Sequence, residues 1–246
     1  MIAASLRAIT GRRGSFRGGG IVILLGVLLV VTVLLVVNEL RPGRNPSIGG
    51  QPMLDGVGGI VWALGTVVAI LVGSLAGSYD VAQGTMRYLL LTGVGRVWFY
   101  IGRTVALVAA IALLLVPALA IGCLAVFLLP SEPRDDVSAS ELGDVVWTAV
   151  LWPLVFGLIA MGIGSLLRSN GPAIAISLLF AFAASPLLTL VGAWKETVGD
   201  LMLLPALDRV TGRESSISIP VAAVAVLAWV AVPWALGLAR HVRDEY

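Results

Sequence analysis

Asp80-Val-Ala-Gln-Gly84-Thr85-Met-Arg87-Tyr-Leu-Leu-Leu-Thr-Gly93-Val-Gly95-Arg96 lies between two long apolar runs and carries polar residues that neither run has. On a helix, Asp80, Gln83, Gly84 and Arg87 fall at i, i+3, i+4 and i+7 and share one face, with Ala82, Met86, Leu89 and Leu90 on the other. The spacing predicts a short helix lying on a membrane surface. Asp80 and Gln83 also have the spacing of a pair that caps a helix start.

Outward from this stretch the chain is built for lipid. Of 246 residues, 59% are hydrophobic and 12% charged, whereas soluble domains carry about 25% charged residues. Six apolar runs, at about 20–37, 56–77, 104–129, 145–167, 172–194 and 217–239, each come near the ~20 residues a helix needs to cross a hydrocarbon core of about 30 Å. The expected fold is an all-α membrane protein, one transmembrane domain over 1–246 with six spans. A segment at 78–96 joins the second span to the third.

Residues 1–19 carry Arg7, Arg12, Arg13 and Arg17 with no acidic residue, and Leu6 and Ile9 face one side of a helical turn. This predicts an amphipathic elbow helix at the cytoplasmic surface. The run that follows is longer than the ~7–15 apolar residues of a signal peptide and no small-residue cleavage site succeeds it, so it is expected to be a retained span. Gly73 and Gly77 predict close approach of another helix. Pro117 predicts a kink in the third span, and Trp98, Phe99 and Tyr100 predict a membrane interface. The external segment 195–216 mixes seven charged residues with Leu201-Met-Leu-Leu-Pro205-Ala-Leu207. It reads either as a re-entrant segment packed on the bundle or as a surface helix.

Basic residues mark the cytoplasmic side. Six spans put both termini, 78–103 and the 168–171 turn on one side, with ten basic residues against three acidic ones, a net +7. The other side has six against eleven, a net −5. Both termini are therefore expected in the cytoplasm. The overall charge of +2 conceals a polarised molecule, and no nucleic-acid partner is required.

The missing chemistry narrows the function. The six runs as bounded above contain no Asp, Glu, Lys, Arg or His, which argues against a proton-coupled carrier or ion pump. There is no G-x-x-x-x-G-K-[ST] phosphate loop and no H-E-x-x-H. One cysteine, Cys123, permits no internal disulfide, and the one histidine, His241, has no second His or Cys to share a metal. No catalytic residue, metal or cofactor is expected in this chain, which reads as a non-enzyme. Energy for uphill transport must come from another subunit.

Asp80-x-x-x-Gly84-Thr85-x-Arg87-x-Leu89-Leu90-x-Thr92-Gly93-x-x-Arg96, with Arg103 beyond it, resembles the segment after the second span in type-2 exporter permeases of the ABC transporter superfamily. Asp80 stands for the usual Glu, Gly93 for the usual Pro and Arg103 for the usual Lys. Gly162-Ile-Gly164-Ser-Leu-Leu-Arg168-Ser-Asn-Gly-Pro-Ala173 resembles the family's junction between spans four and five. Leu204-Pro205-Ala206-Leu207 resembles its outer loop before the last span, and Arg243-Asp244 its C-terminal end.

The resemblance implies a permease of the cell inner (plasma) membrane that pairs with a second copy or a homologous permease and works with two separate ATPase subunits, which hold ATP and Mg. It implies that Asp80, Gln83, Gly84, Thr85, Arg87 and Arg96 form the ATPase-coupling interface on a cytoplasmic coupling helix. Substrate would pass near the second and fifth spans. Trp62, Trp152, Phe180, Phe182 and Trp229 either face that path or serve as packing. The alternatives are a non-transporting membrane scaffold or immunity-type subunit, which would bind a partner without ATP-dependent flux, and a secondary carrier, which would show gradient-driven flux without nucleotide.

Overall fold

The computed structural model describes residues 51–84, 95–128, 137–192, 196–212 and 217–243. The predicted elbow and the first span at 20–37 lie outside them. The described residues form helices and no strand: α1 (Gln51–Ala82), α2 (Arg96–Leu128), α3 (Ala139–Leu167), α4 (Asn170–Leu179), a π-helical turn (Phe180–Ala184), α5 (Ser185–Gly192), α6 (Glu196–Asp200), α7 (Leu203–Val210) and α8 (Ile219–Arg243). Among the described residues, five helices are long and apolar enough to cross a membrane: Leu54–Ala82, Arg96–Phe127, Ala139–Leu167, Asn170–Leu190 and Ile219–Arg243. They coincide with the second to sixth predicted runs and make this an all-α, multi-pass membrane protein.

The helices outrun the apolar runs that predicted them. α1 does not stop at Gly77 but continues through Asp80 to Ala82, so Asp80 neither starts a new helix nor caps one. Gly77 is present for contact: a Cβ there would strike the carbonyl of Met161 on α3. The terminator is Gly84, at φ +67°, whose N–H bonds the Val81 carbonyl. Left-handed glycines commonly end helices in this way, because an L side chain is strained there. α2 begins at Arg96 and runs through Pro117, and α3 runs through Pro153. α3 starts at Ala139, ahead of the predicted run at 145–167, because Ser138 and Glu141 form a reciprocal capping box, satisfying two donors at the helix start.

α3 is the spine of the bundle. Along one flank it packs on α1, its most extensive partner, and around Gly73, Gly77 and Gly164 that contact is backbone on backbone. A Cβ on Gly73 would strike the Gly157 carbonyl, and one on Gly164 the Ser74 carbonyl. The predicted close approach at Gly73 and Gly77 is thus observed. Along the other flank Gly162 lies on the Pro233 backbone of α8, and a Cβ on Gly237 would come 3.0 Å from the Gly162 carbonyl. α3 turns into α4 through Arg168, which adopts the left-handed conformation (φ 58°) while its N–H bonds the Gly164 carbonyl. Ser78 of α1 then bonds the Asn170 side chain at 2.8 Å and Ser74 bonds Ser177 at 3.2 Å.

The remaining apolar faces follow the lipid pattern. Leu113, Val116, Leu124 and Phe127 of α2 and Val224, Leu227 and Val232 of α8 are exposed. Within 195–216, the short helix α7 buries Leu203, Ala206 and Leu207 in a cluster with Phe156, Ile159, Ala222 and Val226. This helix is thus packed on the bundle.

Candidate functional site

The two ends of the described bundle differ in chemistry. At one end stand Asp80, Arg96, Arg103, Arg168, Arg240, His241 and Arg243; at the other stand Asp55, Glu141, Asp144 and Asp208. The basic end is predicted to be cytoplasmic. Two of its arginines tie helix termini together. Arg96 donates to the Val242 carbonyl in the last turn of α8 at 2.9 Å, and Arg240 donates to the Leu166 carbonyl in the last turn of α3 at 2.6 Å. Cations at C-terminal carbonyls are favoured by both hydrogen bonding and the helix dipole.

Beneath these ties Asp80 and Arg103 form a buried ion pair, the guanidinium donating to the carboxylate. The apolar runs had been bounded to exclude both residues, but the longer helices include them. Arg103 also lies over the Phe99 ring at 5.5 Å. Phe99 and Tyr100 both contact the His241 ring, and Tyr100 bonds the Trp234 carbonyl. Of the three predicted interfacial aromatics, Trp98 is exposed while Tyr100 is turned fully into the core.

The predicted coupling residues therefore separate. Asp80 faces inward, not along the exposed polar face that helical spacing suggested. Arg96 belongs to the first turn of α2 and is engaged with α8. Gln83 and Gly84 are exposed at the end of α1. Thr85 and Arg87, with the rest of 85–94, lie outside the described residues.

Toward the acidic end the aromatics come together. Trp62 and Trp152 meet edge to face at 5.4 Å, Trp152 stacks on Phe156 at 6.1 Å, Phe156 contacts Phe180 at 6.5 Å, and Phe180 contacts Trp229 at 6.1 Å. Four of the five predicted path residues thus belong to one aromatic ladder, whose middle member, Phe156, sequence reading missed. The fifth, Phe182, is exposed on the π turn. Trp229 is further fixed by its indole N–H on the Leu201 carbonyl at 3.1 Å.

One side of this ladder opens into a cavity of about 740 Å³ between α1, α3, the π turn and α7. Trp62, Trp152, Phe156 and Phe182 line it, with Asp55, Asp144 and Asp208. The three acids were also missed, although Asp55 and Asp144 each directly precede a predicted span and so had to lie at its mouth. Among the described residues no group of His, Cys, Asp and Glu could hold a metal ion. In comparisons with known proteins, no family model and no curated protein matches the chain.

Proposed function

We propose that this chain is the permease subunit of an ATP-driven ABC exporter, pairing with a second permease and driven by two separate ATPase subunits. The observation that carries the reading is the exposed end of α1. A polar Gln83-Gly84 terminus emerges there, followed by Thr85 and Arg87, in the order of motifs that resembles the family's coupling segment. The tied arginines and the Asp80–Arg103 pair support it, because they anchor both flanks of 85–94 to the bundle. A push on that segment then reaches α1 and α2 together.

In this reading Gln83, Gly84, Thr85 and Arg87 contact the ATPase, whereas Asp80 and Arg96 are positioning residues. The chain is expected to co-purify with an ATPase. Arg87→Ala is expected to lower ATP hydrolysis in the reconstituted complex at least about fivefold, the low end of site-to-site coupling, with assembly of the permease unchanged. A chain that purifies without any ATPase and moves cargo unaided would sink the proposal.

A further inference from the structure

The cavity between α1, α3, the π turn and α7, at about 740 Å³, falls within the ~300–1,000 Å³ typical of small-molecule sites. Its charged lining residues, Asp55, Asp144 and Asp208, stand at the lip. Asp55 and Asp208 each have a further interaction, so these carboxylates mark the level of the membrane surface and are not needed as ligands. Deeper in, Trp62 and Ala63 of α1, Trp152 and Phe156 of α3, and Ala181 and Phe182 of the π turn form an apolar wall. Three threonines also line the cavity, and each turns its hydroxyl back on its own helix. Thr66 donates to the Trp62 carbonyl at 2.7 Å, Thr148 to the Asp144 carbonyl at 2.8 Å and Thr211 to the Leu207 carbonyl at 3.1 Å. Their protons are spent before any ligand arrives.

The depth matches a leaflet. From Asp55 to Thr66 α1 rises by about 16 Å, roughly half of a ~30 Å hydrocarbon core. Below Thr66 and Phe156 the helices close on each other. The Ala69 carbonyl lies 3.3 Å from where a Cβ of Gly157 would be, and Ser74 bonds Ser177 of α4. Among the described residues, the cavity reaches the bundle surface between α1 and the π turn, where Trp62 and Phe182 line it and are also 39% and 57% exposed. Water is a poor filling for such a space, because each molecule needs about 2–4 polar partners. A lipid tail gives up nothing on entering, being as apolar as the wall, and gains dispersion contacts there.

We infer that this cavity is a site for a hydrocarbon chain of a membrane lipid from the leaflet at the acidic end. The headgroup lies at the level of Asp55, and the chain passes between Trp62 and Phe182 to end near Thr66 and Phe156. The chain lodges there whether or not the protein is a permease.

The test uses the full chain in nanodiscs of phosphatidylcholine that carries a diazirine at the tip of an acyl chain. After illumination, adducts are mapped by mass spectrometry of the digested protein. Thr66, Trp152 and Phe156 are 5%, 8% and 3% exposed, out of reach of lipid around the bundle, so adducts on them come from a chain inside the cavity. Leu107 and Ile111, equally buried but not lining it, should stay unlabelled. Gly59 lines the cavity with open space where a Cβ would go. Gly59→Phe should therefore lower labelling of the three cavity residues at least about fourfold, the worth of one buried methylene, and leave the exposed Leu124 and Phe127 labelled as before. Ala63→Leu serves where that variant does not fold. Adducts confined to exposed residues, or cavity adducts that persist in the folded filled variants, overturn the inference. In a Cys123→Ala background, a disulfide from Gly59→Cys to a cysteine placed within 20–37, or between two copies carrying Gly59→Cys, makes protein rather than lipid the occupant and also overturns it. ATPase activity enters none of these readings, so the permease proposal stands or falls separately.

Discussion

Asp80 and Arg103 meet where burial makes each depend on the other. Taking a carboxylate and a guanidinium out of water is expensive, and mutual attraction recovers that cost only while both are present, so removing one partner typically destabilises by about 3–5 kcal/mol. Asp80→Ala is therefore expected to lower stability by about 3 kcal/mol, read as an earlier loss of the monodisperse peak after heating in detergent. Asp80→Leu with Arg103→Leu should recover most of it. Such a double variant also separates holding the bundle from touching a partner: a stable protein with normal ATPase coupling gives Asp80 the first role only. Sequence spacing could not distinguish these roles. Positions 80, 83, 84 and 87 share a face only on a helix that continues through Gly84, and the φ of +67° at that glycine ends it first.

At the scale of elements, glycines carry opposite meanings that composition does not separate. Gly73 and Gly77 remove side chains from a helix seam, Gly84 ends a helix, and Gly59 has open space where a Cβ would go. Gly73→Ala forces α1 away from the Gly157 backbone and is expected to cost at least about 2 kcal/mol, within the 1–3 kcal/mol range of overpacked sites. Gly59→Ala should be neutral or gain up to about 1 kcal/mol from helix propensity. Thermal shift of the two variants side by side checks the contrast. Helix existence and type were legible because each described span is built on a long apolar run. The π turn at Phe180–Ala184 was not, since Phe-Ala-Phe-Ala-Ala suits an ordinary helix equally well. Pro186, which has no N–H to give, lies just beyond it, and the wide turn places Phe182 on the cavity wall.

For the whole molecule, the charge polarity expected from loops is visible in the described helices, with acids around one mouth and arginines on carbonyls at the opposite end. It predicts orientation. In a Cys123→Ala background, Ser140→Cys should react with a membrane-impermeant thiol reagent added to intact cells, and Ser169→Cys only after lysis. Both positions are exposed, at opposite ends of α3. The reverse pattern would invert the topology and place the acidic cavity on the cytoplasmic side. The cavity itself lay beyond sequence reading, because it needs α7 folded back so that Asp208 joins Asp55 and Asp144.

The backbone contacts on both flanks of α3 also limit which parts can move. Sliding α1 along α3 by one helical turn, about 5.4 Å, would carry the methyl of Ala69 into a space that only hydrogen fills at Gly73. The same restriction applies at Gly162 against Pro233. These three helices can roll slightly on one another or travel together, but they cannot shear. Any mechanical cycle of this protein therefore has a fixed frame of α1, α3 and α8, and its working displacement belongs to the helices joined to that frame by side chains: α2, and α4 with its wide turn.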